Sequence, residues 1–231
     1  MTRTLAIGDI HGCINALLTL ERFVQFKHDD IIVTLGDYID RGPDSCAVVD
    51  WLIYTQSKLS LKPLRGNHDI MLLDSRSNQE SMHDWMAAGG ESTLRSYSPF
   101  DGDSGSLVDI PDTHWEFMES QLLSYYETDS HFFVHANAIS DIALSEQPPY
   151  YLYWQNFGDP SRHQSGKIMV CGHSSQKSGL PKTNGDAICI DTFAYGGGWL
   201  SCLDVETGTI WQSNENGDTR QFNLKDNATA T

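Results

Sequence analysis

The chain has 231 residues, enough to bury a proper core, and its 39% apolar and 20% charged content suits a folded globular protein rather than a disordered one. Fifteen basic against 31 acidic residues give a formal charge of −16, a field that repels polyphosphate backbones and argues against nucleic acid as a partner. No apolar run approaches the ~20 residues of a membrane span, and MTRTLAIGD lacks the apolar stretch and cleavage site of a secretory signal. A cytoplasmic protein with no membrane partner is the expectation.

TLAI is a β-like run that ends in Gly8-Asp9, and residues 15–26, with Leu17, Leu18, Glu21, Arg22 and Val24, read as an amphipathic helix. IIVTL then leads to Gly36-Asp37, residues 45–54 read as a second helix, and LKPLR leads to Gly66-Asn67. Alternation of this kind is a βαβ pattern. Residues 71–126 read as helical, anchored by Trp85, Met86, Leu94, Trp115, Phe117 and Met118, and broken by the turn-rich SPFDGDSGS at 98–106. They are expected to form a cap or side layer rather than a domain of their own. HFFV runs directly into His135, and IMVC into Gly172-His173. From Asp186 the pattern returns to β, with AICID, WLSCLDV and GTIWQS, the last two joined by a turn at 206–208. One domain over residues 1–225 is expected, with the polar residues 226–231 as a flexible tail. The five cysteines, Cys13, Cys46, Cys171, Cys189 and Cys202, are odd in number and include no CxxC pair. They read as buried or partly buried free thiols in a reducing compartment, in preference to a disulfide framework or zinc ribbon.

In open α/β sheets, function gathers in the loops beyond the carboxyl ends of the strands. Those loops carry Asp9 and His11 in GDIHG, Asp37, Asp40 and Arg41 in GDYIDRGP, Asn67 and His68 in GNHD, His135 in VHAN and His173 in CGH. Carboxylate oxygen, amide oxygen and imidazole nitrogen together suit a divalent first-row metal such as Mn, Fe or Zn. There are ligands enough for two ions, which need a bridging carboxylate. In Asp9-Ile10-His11, two residues separated by one can turn toward a common point as a strand leaves its sheet. Flanking Gly8 and Gly12 remove side chains that would block the approach. One D-x-H is a weak signal, one buried His is more often a core residue, and GNHD alone could be a turn. Five such clusters at successive strand ends are much harder to explain as coincidence.

In order and approximate spacing, these motifs resemble the phosphoprotein phosphatase family of calcineurin-like metallophosphoesterases, and within it the small bacterial and phage serine/threonine phosphatases. The resemblance runs over about residues 5–203, and GDYIDRGP is its most specific element. It implies an α/β fold, a four-layer αββα sandwich with a helical side segment, holding two divalent metal ions (Mn, Fe or Zn). By similarity, Asp9 and His11 bind the first metal and Asp37 bridges both, while Asn67, His135 and His173 complete the second. His68 is then the general acid, paired with Asp40, and Arg41 grips the phosphate through its planar two-donor fork. Tyr195, in AYGGGW, resembles an active-site tyrosine of the family. The implied mechanism is attack on phosphorus by a metal-activated hydroxide, with His68 protonating the leaving oxygen. No cysteine is needed as nucleophile.

Two departures bear on substrate. Bacterial and phage relatives often carry a second phosphate-binding arginine in a W-x-R arrangement, where this chain has Trp154-Gln155-Asn156. Arg162, six residues on, either reaches in from a loop or is a solvated surface residue, with the latter favoured. HAN after Val134 also differs from the family's glycine-richer version, and Asn137 either binds substrate or turns the chain. The leading expectation is a phosphatase acting on phosphoserine or phosphothreonine in proteins. A dinucleoside polyphosphate hydrolase of the same fold, a permissive small-ester phosphatase and a catalytically silent phospho-binding protein remain as rivals. Oligomeric state is not legible.

Overall fold

The structure is a computed structural model that describes residues 2–100 and 102–227. The first half builds β1 (Thr4–Ile7), α1 (Ile14–Val24), β2 (Ile31–Thr34), α2 (Ser45–Gln56) and β3 (Ser60–Pro63). β1, β2 and β3 are parallel neighbours, as a βαβ path requires. β1 is buried at all four positions, because a parallel strand covered on both faces has no wet side. Helix α2 starts at Ser45 because the Asp44 carboxylate, as N-cap, accepts the Ala47 amide at 2.9 Å.

Residues 67–120 follow as α3 (Asn67–Ser75), α4 (Gln79–Trp85), a π-turn (Met86–Gly90), α5 (Glu91–Tyr97) and α6 (Asp112–Ser120). α5 and α6 pack on α2, so this segment widens the helical layer over the first sheet. The expected break at 98–106 falls between α5 and a short 3-10 turn at Leu107–Asp109; Asp101 lies outside the described residues.

The second half gives β4 (Tyr126–Glu127), β5 (His131–Phe133), α7 (Pro149–Tyr153), β6 (Ile168–Cys171), β7 (Lys182–Thr183) and β8 (Ala187–Cys189). β9 (Leu200–Asp204), β10 (Thr209–Ser213), β11 (Thr219–Asn223) and the single turn α8 (Leu224–Asn227) close the described chain. The last three strands return to the first sheet, whose order is β11-β10-β9-β1-β2-β3; the second sheet runs β4-β5-β6-β8-β7. Asp226 and Asn227 are therefore helical rather than part of a loose tail, and residues 228–231 lie outside the described residues.

The sheets meet face to face through Ala6, Val33 and Leu203 on one side and Phe133, Val170 and Ile188 on the other. Leu5, Ile7 and Ile32 point the opposite way, into α1 and α2. The outer face of the second sheet, through Phe132, Met169 and Cys189, is covered by Leu144, Leu152, Tyr153 and Phe157. Those residues belong to a 3-10 turn, the five-residue α7 and loops, so this fourth layer is much thinner than the first. Alternate residues of each strand thus feed two cores, and the αββα layering follows. All five cysteines carry free thiols, and only Cys46 is not fully buried. Among the described residues, no helix is long and apolar enough to cross a membrane.

Candidate metal centre

Parallel strands β1, β2, β5 and β6 all release their chains at the same end of the sandwich, which collects the polar loop residues there. The backbone is forced at this point. Seven non-glycine residues among those described have positive φ, and five of them are His11 (44°), Asp37 (51°), Asp40 (72°), Arg41 (69°) and His173 (62°). Left-handed backbone costs an L-residue energy and clusters where function over-determines geometry.

Ligand atoms of His11, Asp37 and His68 lie within 4.8 Å of one another, and so do those of Asp37, His135 and His173. Asp37 belongs to both groups. Its Oδ1 accepts the His68 amide (3.0 Å), so its carboxylate caps the start of α3, where the N-cap Gly66 has no side chain to do so. Burial alone would raise the Asp37 carboxyl, but His135, His68, His11 and His173 hold it below the usual carboxylate range.

The imidazole tautomers follow from the backbone. The Nδ1–H of His11 donates to the Ile39 carbonyl (2.8 Å) and that of His135 to the Leu35 carbonyl (2.7 Å). These bonds turn each Nε2 toward the site. His11 Nε2 stands 3.4 Å from Asp37 Oδ2, and His135 Nε2 stands 3.5 Å from Asp37 Oδ1. His173 similarly gives Nε2–H to the Trp154 carbonyl (3.2 Å), which aims its Nδ1 at Asn67 Oδ1 (2.9 Å). Asn67 Oδ1 also lies 3.0 Å from His135 Nε2. Burial lowers His11 to about 3 and His173 to about 4, so neither ring supplies a proton at neutral pH. Imidazole Nε2 atoms thus face Asp37 on both sides, and the N/O donor set there suits a divalent cation of the Mn, Fe or Zn kind.

Asp9 joins from the flank, its carboxylate accepting the His173 amide at 3.2 and 2.9 Å. Burial and the nearby charges of Asp191 and Asp37 push Asp9 well above its ordinary value, a further sign that positive charge belongs here. The glycines that make room for the carboxylates are not the ones beside Asp9. A Cβ at Gly66 would lie 2.2 Å from Asp37 Oδ1, and one at Gly172 would lie 1.9 Å from Asp9 Oδ1. Gly8 is instead required by the Ile190 carbonyl, 2.5 Å from where its Cβ would sit.

His68 and Asp40 form a second, distinct unit. His68 Nδ1–H donates to Asp40 Oδ2 (2.6 Å), and Asp40 also accepts from Trp85 Nε1 (3.0 Å) and Thr93 Oγ1 (2.6 Å). Burial opposes the imidazolium, but the Asp37 charge and the Asp40 hydrogen bond outweigh it and raise His68 above its ordinary value. Arg41 places Nη1 3.1 Å from His11 Nε2 and its guanidinium 4.7 Å from the Tyr195 ring centre. Tyr195 in turn packs edge-on against His11 at 4.8 Å. Side-chain contacts thus join His11, Asp37, Asp40, Arg41, Asn67, His68, His135, His173 and Tyr195, while the Asp9 carboxylate meets the cluster through the His173 amide.

The two departures resolve differently. Arg162 is exposed, with Nε 3.6 Å from Asp186 Oδ1, and is a surface residue away from the centre. Asn137 is buried and structural: its amide donates to the carbonyls of Asn156 (2.9 Å) and Phe157 (3.2 Å), tying down the loop after Trp154. Four contributors escaped the sequence. Trp85 counted only as an apolar anchor, and Thr93 not at all, because nothing local links α4 or α5 to Asp40. Asp69, inside GNHD, accepts the amides of Gly66 (2.7 Å), Asp37 (3.1 Å) and Tyr38 (3.2 Å) and so fixes the loop; an acid three residues after a helix start was the available signal. Asp191 is buried and accepts from Ser175 Oγ (2.6 Å) and the Phe193 amide (3.0 Å).

Comparison with known proteins agrees with this architecture. The family model described as calcineurin-like phosphoesterase matches residues 2–200, and the chain belongs to that family. It is 38% identical over 86 residues to serine/threonine-protein phosphatase 1 of Salmonella typhimurium, covering 37% of this chain and 38% of that protein. It is also 45% identical over 71 residues to the symmetrical bis(5'-nucleosyl)-tetraphosphatase of Legionella pneumophila, covering 29% of this chain and 24% of the relative. The chain thus spans well under half the length of these curated relatives. Among solved structures, a protein proposed to be a diadenosine tetraphosphatase superposes with a TM-score of 0.65 at 21% identity, over 96% of this chain and 93% of that one. The cold-active protein-tyrosine phosphatase of a psychrophilic Shewanella gives 0.61 at 15% identity, over 96% and 80%. At such identities these two likenesses concern the fold alone.

Proposed function

We propose that the protein is a dinuclear-metal phosphatase that hydrolyses phosphomonoesters, with phosphoserine and phosphothreonine in proteins as its substrates. The observation that carries this reading is Asp37 standing between two imidazole Nε2 atoms, one facing each carboxylate oxygen. Asp9, His11 and Asp37 would hold one cation, and Asp37, Asn67, His135 and His173 the other. Bound there, two cations of the Mn, Fe or Zn kind supply Lewis acidity that lowers the pKa of a water toward neutrality and offsets phosphoryl charge.

The chain's own groups do the rest. His68 also lies in a metal-competent group, but its hydrogen bond to Asp40, which favours the charged imidazole, suits it to the acid's role. With Nδ1–H given to Asp40, the proton available to the leaving oxygen is the one on Nε2. Arg41, stacked on Tyr195, presents its remaining donors to phosphate oxygens. Burial pushes the thiols of Cys13, Cys171 and Cys202 up, and that of Cys46 to about 11, so none of these four is a ready nucleophile. Free thiols also fit a cytoplasmic protein.

A second reading, cleavage of dinucleoside polyphosphates, is favoured by the tetraphosphatase relatives and uses the same centre. Manganese-loaded protein assayed side by side on a phosphoserine peptide and on diadenosine tetraphosphate separates the two. Higher kcat/KM on the peptide is the expected result. Preference for the dinucleotide would keep the metal chemistry and overturn the substrate.

A further inference from the structure

The surface near the metal centre carries charges that the proposed chemistry does not use. Beyond Trp154, whose carbonyl holds His173, two clefts open. One, of 180 Å³, is lined by Met71, Ser81 and Trp154 with the carboxylates of Asp74 and Asp84. The other, of 330 Å³, includes Asn137, Gln155 and Asp159. Neither lining contains a lysine or arginine, but Lys182 Nζ donates to the Gly158 carbonyl (3.2 Å) at the edge of the larger cleft. Around Tyr195, by contrast, cations are present. The Arg41 guanidinium lies 4.7 Å from the Tyr195 ring, Tyr195 packs edge-on against Phe193 at 4.8 Å, and Lys177 Nζ lies 5.5 Å from the Phe193 ring. Cations at both ends of an aromatic ledge are conspicuous in a chain of charge −16.

The ledge is also built at a cost. Phe193 has φ 66°, rare for a bulky residue. Its amide is fixed by Asp191, and its ring occupies the place a Cβ at residue 196 would need (2.0 Å), which only Gly196 allows. Lys177, four residues after His173, is exposed and forms no ion pair among the described residues.

We propose that Lys177 is a specificity residue that binds a second anionic group of the substrate, so that an acidic side chain flanking the phosphoresidue lies along the Tyr195–Phe193 ledge. Resting on the phosphatase reading above, this narrows its substrates to phosphopeptides with an acidic flank. Three contacts of 4.7, 4.8 and 5.5 Å separate Arg41 from Lys177. Extended peptide advances about 3.3 Å per residue, which puts the acidic residue at most about four positions from the phosphoresidue. The outer phosphates of a dinucleoside polyphosphate carry the same chemistry, and the test separates the two sources.

The test pairs turnover with binding. Phosphoserine peptides bearing Glu, Ala or Lys two to four residues on either side are compared with para-nitrophenyl phosphate and diadenosine tetraphosphate, in the wild type, Lys177→Ala, Lys177→Arg and Lys177→Glu. Equilibrium dissociation constants for the peptides are measured on the same preparations. Wild type should prefer the Glu peptide, and Lys177→Ala should weaken that peptide alone by about threefold, the size of an exposed ion pair. Lys177→Arg should restore it, Lys177→Glu should favour the Lys peptide, and the small monoester should be indifferent to all three. If diadenosine tetraphosphate alone responds, the second anion is a phosphate and the peptide flank is wrong. Equal losses on every substrate, or none on the Glu peptide, overturn the proposal. If no peptide is turned over, the phosphatase reading fails, while the dissociation constants still decide the role of Lys177.

Discussion

Asp40 and His173 both sit in left-handed backbone at the mouth of the centre, yet they are held in very different ways. Asp40, from the first sheet, is fully buried, and its carboxylate takes donors from α3, α4 and α5 while its amide donates to Ser45 and Thr93. His173, from the second sheet, is partly exposed, and its ring is fixed by one side chain and the carbonyl of the exposed Trp154. The contrast runs through both halves. Behind the first sheet stands a thick helical layer; behind the second stand α7 and loops. The Asp40 side is thus held rigidly by several elements, whereas the Trp154 side is held more loosely and has Asn156 where the W-x-R arrangement has arginine.

That comparison can be broken first at its shared centre. Asp37→Asn should remove the bridge, lowering activity by at least about 10⁴-fold and leaving fewer than two ions per chain by elemental analysis. A variant that kept both ions would deny Asp37 its bridging place. On the rigid side, His68→Asn should retain both metals while kcat falls by about 10²–10⁴-fold; an emptied site would make His68 a ligand. Because the folded pKa of His68 is raised, its protonated form outlasts that of a free histidine as pH climbs. Wild-type kcat should therefore decline as pH rises through that raised value, and His68→Asn should lose this alkaline limb. The corresponding stability, full below the unfolded-state value, should fade across the same window. Trp85→Phe deletes one of Asp40's donors without touching metal or substrate, and should cost about tenfold in kcat with metal content intact. On the loose side, Asn156→Arg restores a guanidinium in the W-x-R arrangement and should lower KM for a phosphomonoester by about two- to fivefold, read from initial rates. No change there would mean the loop does not face the substrate.

The same asymmetry explains what was legible. β1, β2, β6, α1 and α2 appear within a residue or two of their expected bounds, since each has strong apolar patterning and a glycine or cap at its end. The two-residue strands β4 and β7, and β11 with its polar sequence TRQFN, carry no such pattern and are defined only by their partners. Asp9, His11, Asp37, Asn67, His135 and His173 could be picked out because metal chemistry restricts residue type and the strand ends bring them together. The support for Asp40 could not, because Trp85 and Thr93 come from helices 45 and 53 residues away that meet it only after packing. Ring orientation and left-handed backbone are likewise invisible in a string of residues, and they set His11 and His135 on either side of Asp37.

The most direct test is a metal titration. Protein stripped by a chelator is loaded stepwise with manganese, while bound ions are counted by mass spectrometry and phosphate release from a phosphoserine peptide is followed. Activity that is absent without metal and completed only as the second ion binds is the predicted result. Full activity in stripped protein, or a plateau at one ion per chain, would contradict a centre shared across Asp37.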